Sequence, residues 1–127
     1  MSPRRSALKT MIVMATITLF VSVAIPMYSR SLRRSKESVL KNNLFTLRTV
    51  IQEYTHDKQK TPRTLRDLVT DGYLLQVPID PMTGNSNSWI VIIKNAPNIV
   101  NQTDPGIFDV RSGSDKISVE GTRYSDW

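Results

Sequence analysis

The stretch TMIVMATITLFVSVAIPMYS, residues 10–29, has no charged side chain and decides the fold of this chain. As a helix, these 20 residues extend about 30 Å, which matches the hydrocarbon thickness of a bilayer. The hydroxyls of its threonines and serines can hydrogen-bond back to the helix backbone, so they are compatible with insertion. We therefore predict a transmembrane helix in an N-terminal segment of residues 1–29, and we expect Pro26 to kink or loosen it.

The helix is predicted to continue beyond this stretch, from about residue 6 to about residue 57, because no Gly or Pro lies between Pro26 and Pro62. Apolar side chains recur there at helical spacing and form a narrow face. They are Leu40, Leu44, Leu47, Ile51 and Tyr54, widened by Val39 and Val50. Lys36, Lys41, Arg48 and Glu53 are expected on the outward face. A face this short is better covered by the protein's own head than by a coiled-coil partner.

Residues 30–127 are predicted to form one head that includes this amphipathic half of the helix. A short helix is expected to begin with Thr61 as its N-cap and Pro62 at its first position, and to stop at Gly72. Two prolines and a glycine predict a rigid turn over residues 77–84. Strands are expected at residues 89–93, 107–110 and 117–119, with a loop between Lys94 and Gly106. The predicted fold class is α+β, with a long helix packed by a small antiparallel sheet.

Charge is distributed unevenly along the chain. Residues 1–66 hold thirteen Lys/Arg and three Asp/Glu, whereas residues 67–127 hold four and eight, so their net charges are +10 and −4. The arginines do not alternate with aromatic residues and no nucleic-acid-binding motif is present, so we expect no nucleic-acid partner. Two interpretations of the basic stem stand. It lies beside anionic lipid headgroups, or it meets the acidic heads of neighbouring subunits.

Residues typical of catalysis are not arranged for it. The chain has no cysteine, which excludes a disulfide framework, a thiolate metal site and a cysteine nucleophile. Its one histidine, His56, follows Glu53 and precedes Asp57, but a catalytic dyad needs a third group and a pocket. A solvated histidine at the end of a helix is the commoner role. We therefore expect no enzymatic activity.

Three stretches beyond residue 20 carry a family resemblance. They are VLKNNLFTLRTVIQEYTHDKQKTPRTLRDLV at residues 39–69, DGYLLQVPIDPMTG at 71–84, and PGIFDVRSGSD with EGTRYSDW at 105–127. In these stretches the chain resembles the major pseudopilin of type II secretion systems, a pilin-like family. The resemblance implies a structural subunit of a secretion or pilus-like filament. It also implies a single-pass protein of the bacterial inner membrane with its head in the periplasm or on the cell surface.

Partners and a metal site follow from the same resemblance. Its implied partners are other copies, joined through their N-terminal helices, together with other pseudopilins, an inner-membrane secretion platform and membrane lipid. It further implies calcium in the C-terminal loop, with Asp115 and Asp126 as the best-aligned ligands and Asp109 as a third candidate. Calcium takes six to eight oxygens from carboxylates and turn carbonyls. From the residues alone, these aspartates are typical turn formers, and both interpretations stand.

The start of the chain departs from the family pattern. Counting back from Pro26, Arg4, Arg5 and Lys9 stand where the family has Gly, Phe and Glu. Cleavage by the family's peptidase and pairing of a Glu with a neighbour's amino terminus are therefore not expected. The alternative interpretation is a signal peptide with Ser22-Val23-Ala24 as its small-x-small site, which would deliver a periplasmic or extracellular binding domain.

Overall fold

The computed structural model describes residues 3–94 and 105–127. Helix α1 spans Pro3–Lys58 and helix α2 spans Leu65–Thr70. Strands β1, Ile90–Lys94, and β2, Gly106–Arg111, pair antiparallel, and a short 3₁₀ helix covers Tyr124–Asp126. Among these residues the layout is α+β, with one long N-terminal helix and a small antiparallel sheet, as the sequence predicts.

Helix α1 is 56 residues long and continues through Pro26, so the expected loosening does not end it. The predicted back-bonding of hydroxyls to the helix is confirmed at four positions of the apolar stretch. Each donates to the carbonyl four residues earlier: Thr10 to Ser6 (3.0 Å), Thr16 to Ile12 (2.8 Å), Thr18 to Met14 (2.9 Å) and Ser22 to Thr18 (2.8 Å). These hydroxyls therefore need no water partner, which suits them to an apolar environment.

The chain divides into two units, residues 1–34 and residues 35–127. In the first unit every described residue is exposed. The second unit, called the head below, contains the hydrophobic core. Its helical contribution is Leu40, Leu44, Leu47, Val50, Ile51 and Tyr54, which pack with Leu68, Trp89, Ile107, Val110 and Tyr124. The predicted apolar face of the helix is thereby confirmed, except at Val39, which is 48% exposed.

The sheet of the head is short and irregular. Val91 pairs with Val110, and the register shifts between Ile92 and Ile93. Trp89 precedes β1 instead of opening it, and its buried ring donates Nε1–H to the carbonyl of Pro78 (2.8 Å). The predicted strand at residues 117–119 is wrong: there is only an isolated bridge from Ile117 to Arg123. Of the predicted loop, residues 95–104 lie outside the described residues.

The short helix α2 starts later than predicted. Its N-cap is Thr64, which forms a capping box with Asp67, so the prediction of Thr61 and Pro62 as the first residues is wrong. The physical reason is a tertiary contact: the carbonyl of Pro62 accepts the backbone N–H of Ile107 (2.7 Å), which holds this segment against β2. The predicted stop is confirmed, since Gly72 follows the helix with a left-handed φ of 83°.

Candidate functional site

The first candidate site is the apolar part of α1. An 18-residue window of this helix is long and apolar enough to cross a membrane, and none of the window is buried. Its large apolar side chains are exposed on all sides; they include Met11, Ile12, Val13, Met14, Ile17, Leu19, Phe20, Val21, Val23 and Ile25. A surface of this size on a protein normally meets a membrane or another protein.

The second candidate site is the face of α1 that holds the C-terminal tail. Glu37 is only 7% exposed, and its Oε1 accepts the Tyr124 hydroxyl (2.7 Å) and the Val119 backbone N–H (2.8 Å). One helical turn further along α1, the Nζ of Lys41 lies 4.9 Å from the centre of the Trp127 ring. A buried carboxylate is stable only when its oxygens are hydrogen-bonded, and here both donors come from the tail. This face of the helix therefore fixes the tail in place.

Arg48, on the same helix, also binds the C-terminal tail. The prediction that its side chain faces outward is wrong. Its Nε donates to Asp109 Oδ1 (2.8 Å), and its Nη2 donates to the carbonyls of Val110 (3.0 Å) and Trp127 (2.6 Å). The planar guanidinium carries five donors in a fixed geometry, which lets one side chain bind several acceptors. Arg48 thus joins three elements of the head: α1, β2 and the C-terminal tail.

Asp80 links the two most distinctive sequence motifs of the head. It is fully buried, and its Oδ2 accepts the Ser112 hydroxyl (2.7 Å) and the Gly113 N–H (3.1 Å). Its Oδ1 accepts the Met82 N–H (2.9 Å). A side chain at Gly113 would overlap the carbonyl of Ser88, so the close approach requires glycine. The sequence predicted the turn over residues 77–84 but not this link; an aspartate placed between two prolines was the available signal.

The three predicted calcium ligands differ in their surroundings. Asp109 is paired with Arg48, whereas Asp115 and Asp126 are exposed. Within residues 3–94 and 105–127, no three His, Cys, Asp or Glu side chains are grouped as metal ligands. The three aspartates therefore do not form a common ligand set, and an ion held here would need backbone carbonyls for most of its six to eight oxygens. Calcium binding stays a prediction.

A cavity of about 890 Å³ opens in the head beside Arg48. Its apolar walls include Ile51, Ile107, Phe108 and Trp127, and His56 also lines it. His56 is exposed near the end of α1, as predicted. The cavity is large enough for a small molecule, but the Arg48 guanidinium that borders it is already bound to three acceptors.

The pKa is raised for two tyrosines in contact, Tyr54 near the end of α1 and Tyr73 after α2. Burial raises the pKa of Tyr54 to about 12, and a hydrogen bond to Asp71 adds to the effect. The Tyr73 hydroxyl donates to Asp57 Oδ2 (2.8 Å), and this hydrogen bond raises the pKa of Tyr73. Their rings meet edge to face with centres 5.3 Å apart. Neutral tyrosines in such contacts serve packing between α1 and the segment after α2.

Together these features define a class of protein: an α+β head whose first helix is long and apolar enough to cross a membrane. Comparison with known proteins does not assign the chain to a family. No protein-family model, curated protein or solved structure matches it significantly.

Proposed function

We propose that this protein is a structural, pilin-like (pseudopilin) subunit of a type II secretion or type IV pilus-like filament that supports protein export. It would be a single-pass protein of the bacterial inner membrane, with its head in the periplasm or on the cell surface. The observation that carries the proposal is the division of helix α1. Its apolar window is entirely exposed, whereas its residues 40–54 supply six of the eleven buried residues of the head's core.

The energetics of the exposed window support this proposal. Burying one large aliphatic or aromatic side chain contributes about 1.5–3 kcal/mol, so leaving this many in water is strongly unfavourable. Lipid or the same helix of a neighbouring copy would cover them. Ala15, Ser22 and Ala24 are small enough to let helices approach closely in a membrane. Self-association through the N-terminal helices is therefore part of the proposal, as is contact with other pseudopilins and an inner-membrane platform.

The head supports a structural role more than a chemical one. Glu37, Arg48 and Asp80 each bind backbone groups of a different element of the head. Charged side chains used in this way hold loops rigidly and are not available to a substrate. The proposal therefore assigns the protein no catalytic activity.

Membrane integration tests the proposal. The full chain is expressed in a bacterium, and its membranes are washed with alkaline carbonate, which releases peripheral proteins. We expect the wild type to stay in the membrane and Phe20→Lys to be released, since a lysine near the centre of a membrane helix costs about 2.5–3.5 kcal/mol. Phe45→Lys is the matched control, because Phe20 and Phe45 are 71% and 70% exposed but only Phe20 lies in the apolar window. A wild type released by carbonate would refute the proposal.

The cavity beside Arg48 favours one alternative, a binding domain delivered by a signal peptide. The two functions differ in the mature protein. A membrane-anchored subunit should retain Arg4 and Arg5, because a peptidase site shaped for glycine has no room for an arginine side chain. A delivered binding domain should begin near Ile25 and be released as a soluble monomer. Intact-mass measurement of the extracted protein distinguishes them.

A further inference from the structure

A cluster of arginines follows directly on the apolar stretch of α1. Arg30, Arg33 and Arg34 are spaced three and four residues apart, so they lie on one face of the helix. All three are exposed. The ion pairs among the described residues involve Lys41 and Arg48, and none of these three arginines takes part.

No carboxylate nearby in sequence neutralises this cluster. Residues 1–36 contain no Asp or Glu, and the first acidic residue is Glu37. Its Oε1 already accepts two hydrogen bonds from the tail, and the residue is 7% exposed. The positive charge of the cluster is therefore free to meet an external anion.

We propose that Arg30, Arg33 and Arg34 bind the phosphate groups of anionic phospholipids on the side of the membrane where the head lies. This inference rests on the proposed membrane anchoring. A charge-free helix of 20 residues spans the hydrocarbon, which places the next residue, Arg30, at the level of the headgroups. Guanidinium groups match phosphate in a bidentate geometry, and an anionic membrane surface attracts basic residues beside a transmembrane helix.

Lipid phosphate is favoured over the acidic head of a neighbouring copy. Several carboxylates of the head are already engaged within it: Asp109 pairs with Arg48, Asp67 caps α2, and Asp80 is fully buried. The position of the arginines at the membrane surface, in contrast, follows from the length of the apolar stretch alone. Contact with a neighbour's head would need a specific stagger between copies.

Lipid selectivity tests the proposal. The full chain is reconstituted in phosphatidylcholine vesicles that contain either spin-labelled phosphatidylglycerol or spin-labelled phosphatidylcholine, and the motionally restricted fraction of each label is measured. We expect the wild type to restrict phosphatidylglycerol preferentially. Each basic residue near an anionic surface contributes roughly 1 kcal/mol, or about fivefold in affinity, so the triple variant Arg30→Gln, Arg33→Gln, Arg34→Gln should lose most of this preference.

Two matched variants carry the same change of charge. The first has its three substitutions in the head, Lys58→Gln, Lys60→Gln and Arg66→Gln, and should keep the preference for phosphatidylglycerol. The second has its three substitutions before the apolar stretch, Arg4→Gln, Arg5→Gln and Lys9→Gln. If only this second variant abolishes the preference, the proposal is wrong.

The remaining outcomes are equally decisive. A wild type without any preference for phosphatidylglycerol refutes the proposal. So does a triple arginine variant that keeps the preference but loses crosslinking between copies, because the partner would then be a protein surface. Carbonate washing of the same vesicles distinguishes failure of lipid binding from failure of membrane anchoring. A protein that stays integrated but shows no lipid preference overturns only the lipid-binding inference.

Discussion

The carboxylate of Glu37 accepts the hydroxyl of Tyr124 at 2.7 Å, although the two residues lie 87 positions apart in the chain. Tyr124 is itself buried, and its ring packs edge to face on Trp127 with centres 5.1 Å apart. The hydrogen bond therefore joins the start of the head's helix to the last turn of the tail. Removing the carboxylate takes an acceptor away from two tail donors, the Tyr124 hydroxyl and the Val119 N–H.

Replacing Glu37 should destabilise the head. In Glu37→Ala the Tyr124 hydroxyl and the Val119 N–H lose their acceptor, at a cost of about 1–3 kcal/mol each when they stay buried. Glu37→Gln keeps an acceptor oxygen and should cost less. Glu53→Ala, on an exposed part of the same helix, is the control. The measurement is the free energy of unfolding of the full chain in detergent; equal values for Glu37→Ala and Glu53→Ala would contradict the account.

Leu47 should be among the most sensitive positions of the core, because it is completely buried against the head. We expect Leu47→Ala to lower the free energy of unfolding by about 2–5 kcal/mol. Val39→Ala is the matched control on the same helix, since Val39 is 48% exposed and should cost far less. Chemical denaturation of the two variants compares them directly. A midpoint for Leu47→Ala that matches the wild type would remove the packing described here.

Tyr54 should make the head sensitive to alkaline pH. Burial, with the hydrogen bond to Asp71, raises its pKa to about 12, above the ordinary value near 10. Folding thus favours the neutral form of Tyr54. Its contribution to the free energy of unfolding is complete below pH 10 and is lost as pH rises through 12. A shift of this size corresponds to on the order of 3 kcal/mol. We expect the stability of Tyr54→Phe to fall less than that of wild type across this interval; parallel stability curves would show that Tyr54 does not titrate as described.

Calcium should stabilise the head if the tail binds it through Asp115 and Asp126. Ligands that bind only the folded state raise the melting temperature in proportion to ln(1 + [L]/Kd). Magnesium, which demands a stricter octahedral geometry, should do less. The double variant Asp115→Asn, Asp126→Asn should lose the effect. If isothermal calorimetry detects no calcium binding to the wild type, these aspartates are turn formers only.

The parts of the fold that depend on local sequence were predictable. The apolar face from Leu40 to Tyr54 follows from helical periodicity, and that pattern needs no knowledge of its partner. The stop at Gly72 follows equally from local chemistry, since glycine tolerates the left-handed backbone there. The apolar window of α1 was recognisable from its length and absence of charge.

The parts that depend on distant contacts were not predictable. Arg48 sits where helical spacing alone places an outward residue, but its three acceptors lie 61 to 79 positions away. Asp80 acts on Ser112, 32 positions further on. Helix α2 is delayed to Leu65 because Ile107 binds the carbonyl of Pro62. In each case a polar group found its partner in another element, and no local pattern encodes such a pair.

The central claim is that copies of this protein associate through the apolar half of α1 within a membrane. The chain has no cysteine, so single cysteines can be introduced one at a time over residues 11–28 and oxidised in intact membranes. We predict disulfide-linked dimers at positions that recur every three or four residues, because packed helices meet along one face. Leu75→Cys, at a fully exposed site of the head, controls for random collision. Crosslinking at no position over residues 11–28, in membranes that retain the protein, would contradict the claim.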